Sequence, residues 1–171
     1  MGYLKLDVAD LRMMETLGTL DDVVLHEVGH ILGIGTIWPE KNLLLGAGGL
    51  DPQFTGTSAI AAYRALGGSG NVPVENEGEE GTRDGHWRET VFGNELMSGY
   101  VSGTPNPMSA MTIASLTDLG YGANQSAASS YALGGARQRA TETPGVALHG
   151  REKIVKPKWK VDKLGKHTKI K

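Results

Sequence analysis

Two histidines four residues apart, with a glutamate directly after the first, constrain this chain more than any other feature: His26-Glu27-Val28-Gly29-His30. On a helix, residues i and i+4 project from one face, so both imidazoles can reach a common point. Two imidazoles on one point outline a metal site, and H-E-x-x-H on a helix is a zinc pattern. Glu27 lies roughly 100° around the helix from His26. That keeps it off the ion but near a water beside it, where a carboxylate acts as general base. In a chain with 5 histidines, shuffling would produce the pattern roughly 0.01 times, so a chance surface helix is a poor account. Val24, Val28, Ile31 and Leu32 supply an apolar face to seat on a core, with the polar stripe turned to a cleft. Thr19 followed by Asp22 resembles a capping box that starts the helix near Leu20, and Gly33 and Gly35 end it.

The absence of cysteine excludes disulfides and thiolate ligands, which leaves His, Asp and Glu for any metal. With 25 glycines and two Phe in 171 residues, the chain predicts one domain with many loops and a modest core. No apolar run approaches the ~18 residues of a membrane span, and the first residues lack the apolar core of a signal peptide. Net charge is −2 but uneven. Residues 151–171 carry nine Lys or Arg against Glu152 and Asp162, a balance of +7, so the preceding 150 residues carry −9. The division predicted is a domain over 1–122, a Gly/Ala/Ser-rich linker over 123–150 and a basic, disordered tail over 151–171 that adds little stability.

Along the domain, Tyr3-Leu4-Lys5-Leu6-Asp7-Val8 alternates as a strand does. Helices are expected over 9–17, 58–66 and 109–119, each closed by glycine, with a loop across 46–52. The acidic stretch with Glu75, Glu77, Glu79, Glu80 and Asp84 would admit a calcium ion. A solvated acidic loop is the plainer reading, because no fixed ligand spacing stands out.

A catalytic zinc takes three protein ligands, so a third is needed. Of the remaining histidines, His149 and His167 fall in the tail, and His86 is the best imidazole candidate. His26-Glu27-x-x-His30-x-x-Gly33 resembles the opening of the metzincin signature, whose glycine turns the chain toward a third histidine. The usual position of that histidine is here Thr36. Leishmanolysin-like peptidases insert tens of residues at this point, and 52 residues separate Gly33 from His86, with Met97 eleven residues further on. The segments Gly81-Thr82-Arg83-Asp84-Gly85-His86-Trp87-Arg88-Glu89, Val91-Phe92-Gly93-Asn94-Glu95-Leu96-Met97 and the stretch 109–121 are similar to bacterial members of that group.

The resemblance implies an α+β, metzincin-like zinc peptidase domain, mostly helix and loop in the part present, with a long active-site helix. It implies His26, His30 and His86 as zinc ligands, Glu27 as the base, and Gly33 and Met97 as structural residues, Met97 forming the floor beneath the ion. A single catalytic zinc would serve peptide-bond hydrolysis by an activated water. The expected partner is an extended polypeptide substrate, with no nucleic acid, no membrane span, a monomeric state, and secretion by family analogy. About twenty residues precede the metal helix, so most of the family's N-terminal sheet would be lacking. That supports a rival, a truncated domain that binds zinc or a partner without turnover. A second rival takes Asn94-Glu95-x-x-Ser98 as the thermolysin-like stretch in which Glu95 is the third ligand, although Gly99, Pro105 and Pro107 argue against a helix there.

Overall fold

A computed structural model describes residues 4, 6, 8–79, 81–100, 105–134, 159–161 and 166–169. Helix α1 (Val8–Leu17) is followed after Gly18 by α2 (Leu20–Leu32), which carries both motif histidines. The strand expected at 3–8 is not seen at the described residues of that stretch. Val8 opens α1, Leu4 and Leu6 lie in no regular element, and Tyr3, Lys5 and Asp7 are outside the described residues. Six alternating residues suit a strand only where a partner edge exists to pair with.

Helix α2 starts and stops where expected, by different means. Thr19 makes no side-chain cap; its hydroxyl donates to the Met14 carbonyl at 3.4 Å. Asp22, the other half of the expected capping box, accepts instead from the Asn106 backbone N–H at 3.1 Å and from its amide at 2.8 Å. This ties the first turn of α2 to the segment entering the last helix. Asp21 and Asp22 also place negative charge at the helix N-terminus, where the macrodipole favours it. At thirteen residues α2 is of ordinary length rather than long. Its burial departs from the expected one: Val23, His26, Gly29 and His30 are buried, whereas of the expected apolar face Val24 and Leu32 are half-buried and Val28 and Ile31 exposed. The histidine face is turned inward because loops from the middle of the chain close over it.

Those loops hang on a small antiparallel sheet, ordered β1 (Leu44–Leu45), β2 (Gln53–Phe54), β3 (Val72–Pro73). Leu44 faces Phe54, and Phe54 faces Val72. Pro73 lacks an N–H and sits on an outer strand, where the ladder does not need one. The pairing continues as single bridges, Val74 to Trp87 antiparallel and Trp87 to Ser98 parallel. Glu75 N–H donates to the His86 carbonyl at 2.9 Å and Trp87 N–H to the Met97 carbonyl at 3.0 Å. The segment bearing His86 is therefore held between the continuation of β3 and the segment bearing Met97. Arg88 pins the same region, its guanidinium reaching the carbonyls of Val74 and Pro52 and the carboxylate of Asp51, whose pKa it holds below the usual range.

Helix α3 (Thr57–Ala65), the single turn α4 (Glu89–Phe92) and α5 (Ala110–Leu119) complete the domain. Ser109 caps α5, accepting from the Thr112 N–H, and the Asp118 carboxylate caps α3 across the interface, accepting from Ser58 and Ala59 N–H at 2.9 Å each. The core between these helices and the sheet is few in residues but dense in rings. Trp38 stacks on Trp87 at 4.8 Å, Phe54 meets both, and Phe92 bridges Trp87 to Tyr63. Each such ring pair adds roughly 0.5–1.5 kcal/mol beyond the area it buries. Trp87 thus anchors the segment bearing His86 in the buried aromatic core.

Packing continues past 122, where the sequence placed the domain boundary. A 3-10 turn at Gln125–Ala127 lies on α5, Tyr131 and Leu133 pack against the core, and the Tyr131 hydroxyl donates to the Phe92 carbonyl at 2.6 Å. Burial pushes that hydroxyl's pKa up, so it remains a donor. In the region expected to be a disordered tail, β4 (Trp159–Val161) pairs antiparallel with β5 (His167–Lys169). Tyr131→Ala should consequently destabilise the full chain by about 2 kcal/mol, from lost ring burial and an unpaired carbonyl, and lower the thermal midpoint by roughly 4–8 °C. An unchanged transition would show that 123–134 does not support the domain.

Candidate metal centre

Three imidazoles from two distant parts of the chain meet beneath the loops. His26 and His30 come from successive turns of α2, and His86 from the segment held between Glu75 and Met97. The Nε2 atoms form a triangle with edges of 3.1 Å (His26 to His86), 3.0 Å (His26 to His30) and 3.0 Å (His30 to His86). All three residues are buried.

The opposite ring nitrogens decide what that triangle is. His26 Nδ1 lies 2.6 Å from the Leu96 carbonyl, His30 Nδ1 2.9 Å from that of Ile34, and His86 Nδ1 3.0 Å from that of Thr82. A carbonyl only accepts, so each Nδ1 carries the proton and each Nε2 presents a lone pair. Three lone pairs facing one another at 3 Å in a buried site repel unless a cation lies among them. Two nitrogens on a tetrahedral zinc stand roughly 3.3 Å apart, within about 0.3 Å of the edges found. The donor set therefore fits a zinc ion and supplies three of its four positions. Among the described residues, this trio is the single group of three or more His, Asp or Glu side chains that converges in this way.

The chain reaches this arrangement through two glycines of positive φ, Gly33 and Gly35. Gly33 ends α2 at φ 114, and Thr36, in the position where most metzincins have their third ligand, instead donates its hydroxyl to the His30 carbonyl at 2.9 Å. Gly35, at φ 73, lies so near the loop before His86 that a Cβ would stand 2.0 Å from the Gly85 carbonyl oxygen. The loop leaving α2 and the loop delivering His86 thus touch backbone to backbone. Gly35→Ala should force them apart, costing about 1–2 kcal/mol from the left-handed conformation alone and weakening zinc affinity as His86 shifts. Equal stability and affinity in that variant would contradict the contact.

Met97 is buried, and a Cβ on Gly29 would stand 2.6 Å from its sulfur. The thioether thus lies against α2 between the turns that carry His26 and His30. Glu27 sits on α2 next to His26, partly exposed.

Glu95 is not with the histidines. It is fully buried, and its carboxylate accepts from Met97 N–H at 2.7 Å, from Ser109 N–H at 3.0 Å and hydroxyl at 2.6 Å, and from the Thr112 hydroxyl. Burial pushes its pKa up, against the pull of these donors. With its oxygens committed there, and Asn94 to Ser98 forming turns rather than a helix, the thermolysin-like reading has no ligand to offer. Calcium is likewise unsupported. The Glu75 carboxylate is turned onto the N–H groups of Asn76, Glu77 and Glu89, Asp84 accepts from Gly48 N–H, and Glu80 lies outside the described residues. His167 falls in β5, and His149 lies outside the described residues. The carbonyl acceptors and the Glu95 cluster were not anticipated from sequence; backbone acceptors leave no trace in residue identity.

No helix among the described residues is long and apolar enough to cross a membrane. No curated protein and no solved structure matches the chain. The leishmanolysin peptidase family matches it over residues 1–137, a span that holds all three converging histidines, Met97 and the packing out to Leu133. A match over that much of the chain places it: this protein belongs to the leishmanolysin family.

Proposed function

We propose that the chain is a zinc endopeptidase in which His26, His30 and His86 hold the ion and Glu27 is the general base. The observation that carries this reading is the convergence of three Nε2 lone pairs with their Nδ1 protons tied back to carbonyls. A zinc ion in that place supplies Lewis acidity toward a scissile carbonyl and toward water. Glu27, adjacent to His26 on α2 and open enough to meet solvent, takes the proton of the attacking water and returns it to the leaving amine nitrogen. Met97, pressed on α2 at Gly29, keeps the two helical histidines at fixed depth. The substrate is a polypeptide in extended form, and family membership favours action outside the cell or at its surface.

The test is cleavage of casein or a quenched peptide by the protein as prepared, after dialysis against a chelator, and after return of zinc. Activity that vanishes and comes back is the expected result. Cleavage indifferent to the chelator, or none from zinc-loaded protein, would overturn the reading.

A further inference from the structure

The Leu96–Met97 peptide unit joins two features described separately above. Its carbonyl accepts from His26 Nδ1 at 2.6 Å, and its N–H donates to the Glu95 carboxylate at 2.7 Å. A trans peptide is planar, with N–H and C=O pointing to opposite sides, so fixing one end fixes the other. The carboxylate that grips the N–H is itself clamped by the backbone and hydroxyl of Ser109 and by the Thr112 hydroxyl, and Thr112 Oγ1 also accepts from the Trp87 indole at 2.8 Å. One buried carboxylate therefore ties the N-terminus of α5 and the residue after His86 to the peptide that holds His26. The Thr82–Arg83 peptide, which serves His86, has its N–H on the Glu79 carbonyl instead.

We propose that Glu95 is a positioning residue for the metal centre, acting on His26 through the Leu96–Met97 peptide. The Glu95 oxygen that accepts from the Met97 N–H polarises the peptide, strengthens the carbonyl as an acceptor, and so holds His26 in the form with its proton on Nδ1 and its lone pair on Nε2. This is the role a carboxylate bonded directly to a zinc-ligating histidine performs, moved back by one peptide unit. The inference rests on the zinc-site reading for its purpose, while the hydrogen bonds that carry it join protein groups alone.

The test compares Glu95→Gln with Thr112→Val. In Glu95→Gln, the amide oxygen can keep the donors of Ser109 and Thr112, which sets the new NH2 against the Met97 N–H and displaces the peptide. Thr112→Val removes a donor from the same carboxylate but leaves the Met97 contact, and so controls for lost stability. Nitrogen-15 spectra of His26 in the metal-free full chain read the tautomer, and competition titration reads zinc affinity. The parent and Thr112→Val should show the Nδ1–H form alone, and Glu95→Gln a mixture, with zinc binding weakened 10–100-fold, as for other outer-sphere partners. A pure Nδ1–H form with parental affinity in Glu95→Gln overturns the proposal, as does an equal change in Thr112→Val. Should Glu95→Gln not fold, hydrogen exchange at the Met97 amide of the parent decides. Strong protection supports the relay, and exchange at the rate of an open loop refutes it. A parent that binds no zinc would instead refute the metal-site reading, while the tautomer comparison still judges Glu95.

Discussion

Glu27→Gln should keep zinc bound and lose at least ~10²-fold in kcat, the contribution expected of a positioned general base. Glutamine has nearly the shape of glutamate, sits at the same partly exposed place on α2 and cannot take a proton from water. Because Glu27 lies outside the group of converging nitrogens, the substitution leaves the three ligands in place. Metal content separates the two effects, and single-turnover cleavage of a quenched peptide measures the loss. If the glutamine variant turns over at the parental rate with zinc bound, proton transfer belongs to another group.

His86→Ala should have the largest effect on the metal. It removes one corner of the triangle and leaves two imidazoles from a single helix, so zinc affinity should fall far more than the 10–100-fold typical of an outer-sphere change. Dialysis against a weak chelator should strip zinc from His86→Ala, while Glu95→Gln, whose side chain touches no ligand, keeps most of it at the same chelator strength. Zinc kept by His86→Ala and lost by Glu95→Gln would reverse the assignment of the third ligand. The fold itself should survive the loss of His86, because Trp87 and the bridges on either side of it hold that segment independently.

The parts of this molecule legible in sequence are those in which side-chain identity or helical period carries the information. H-E-x-x-H located the helix and two of the three converging histidines, and the glycines at 18, 33 and 120 marked the ends of α1, α2 and α5. His86 could be named only by eliminating the histidines of the tail and by the family spacing, since nothing local distinguishes a converging loop histidine from one that meets solvent. The sheet was not legible, because strands of two residues have no period to detect. The buried face of α2 was misplaced for a related reason, Val28 and Ile31 of the expected apolar face being exposed. Apolar residues normally mark the inward face, yet here three backbone carbonyls drawn from residues 34, 82 and 96 make the histidine face the inward one. Glu95 shows the limit most plainly. Its residue type suits a ligand, but the partners that commit it elsewhere stand 14 and 17 residues downstream.

X-ray absorption at the zinc edge of the metal-loaded chain tests most directly whether these three histidines form one site. One zinc per chain is expected, with three imidazole nitrogens and one further oxygen neighbour, all near ~2.0–2.1 Å, and one imidazole fewer in His86→Ala. Two imidazoles together with a carboxylate in the parent, or a shell unchanged by His86→Ala, would contradict it.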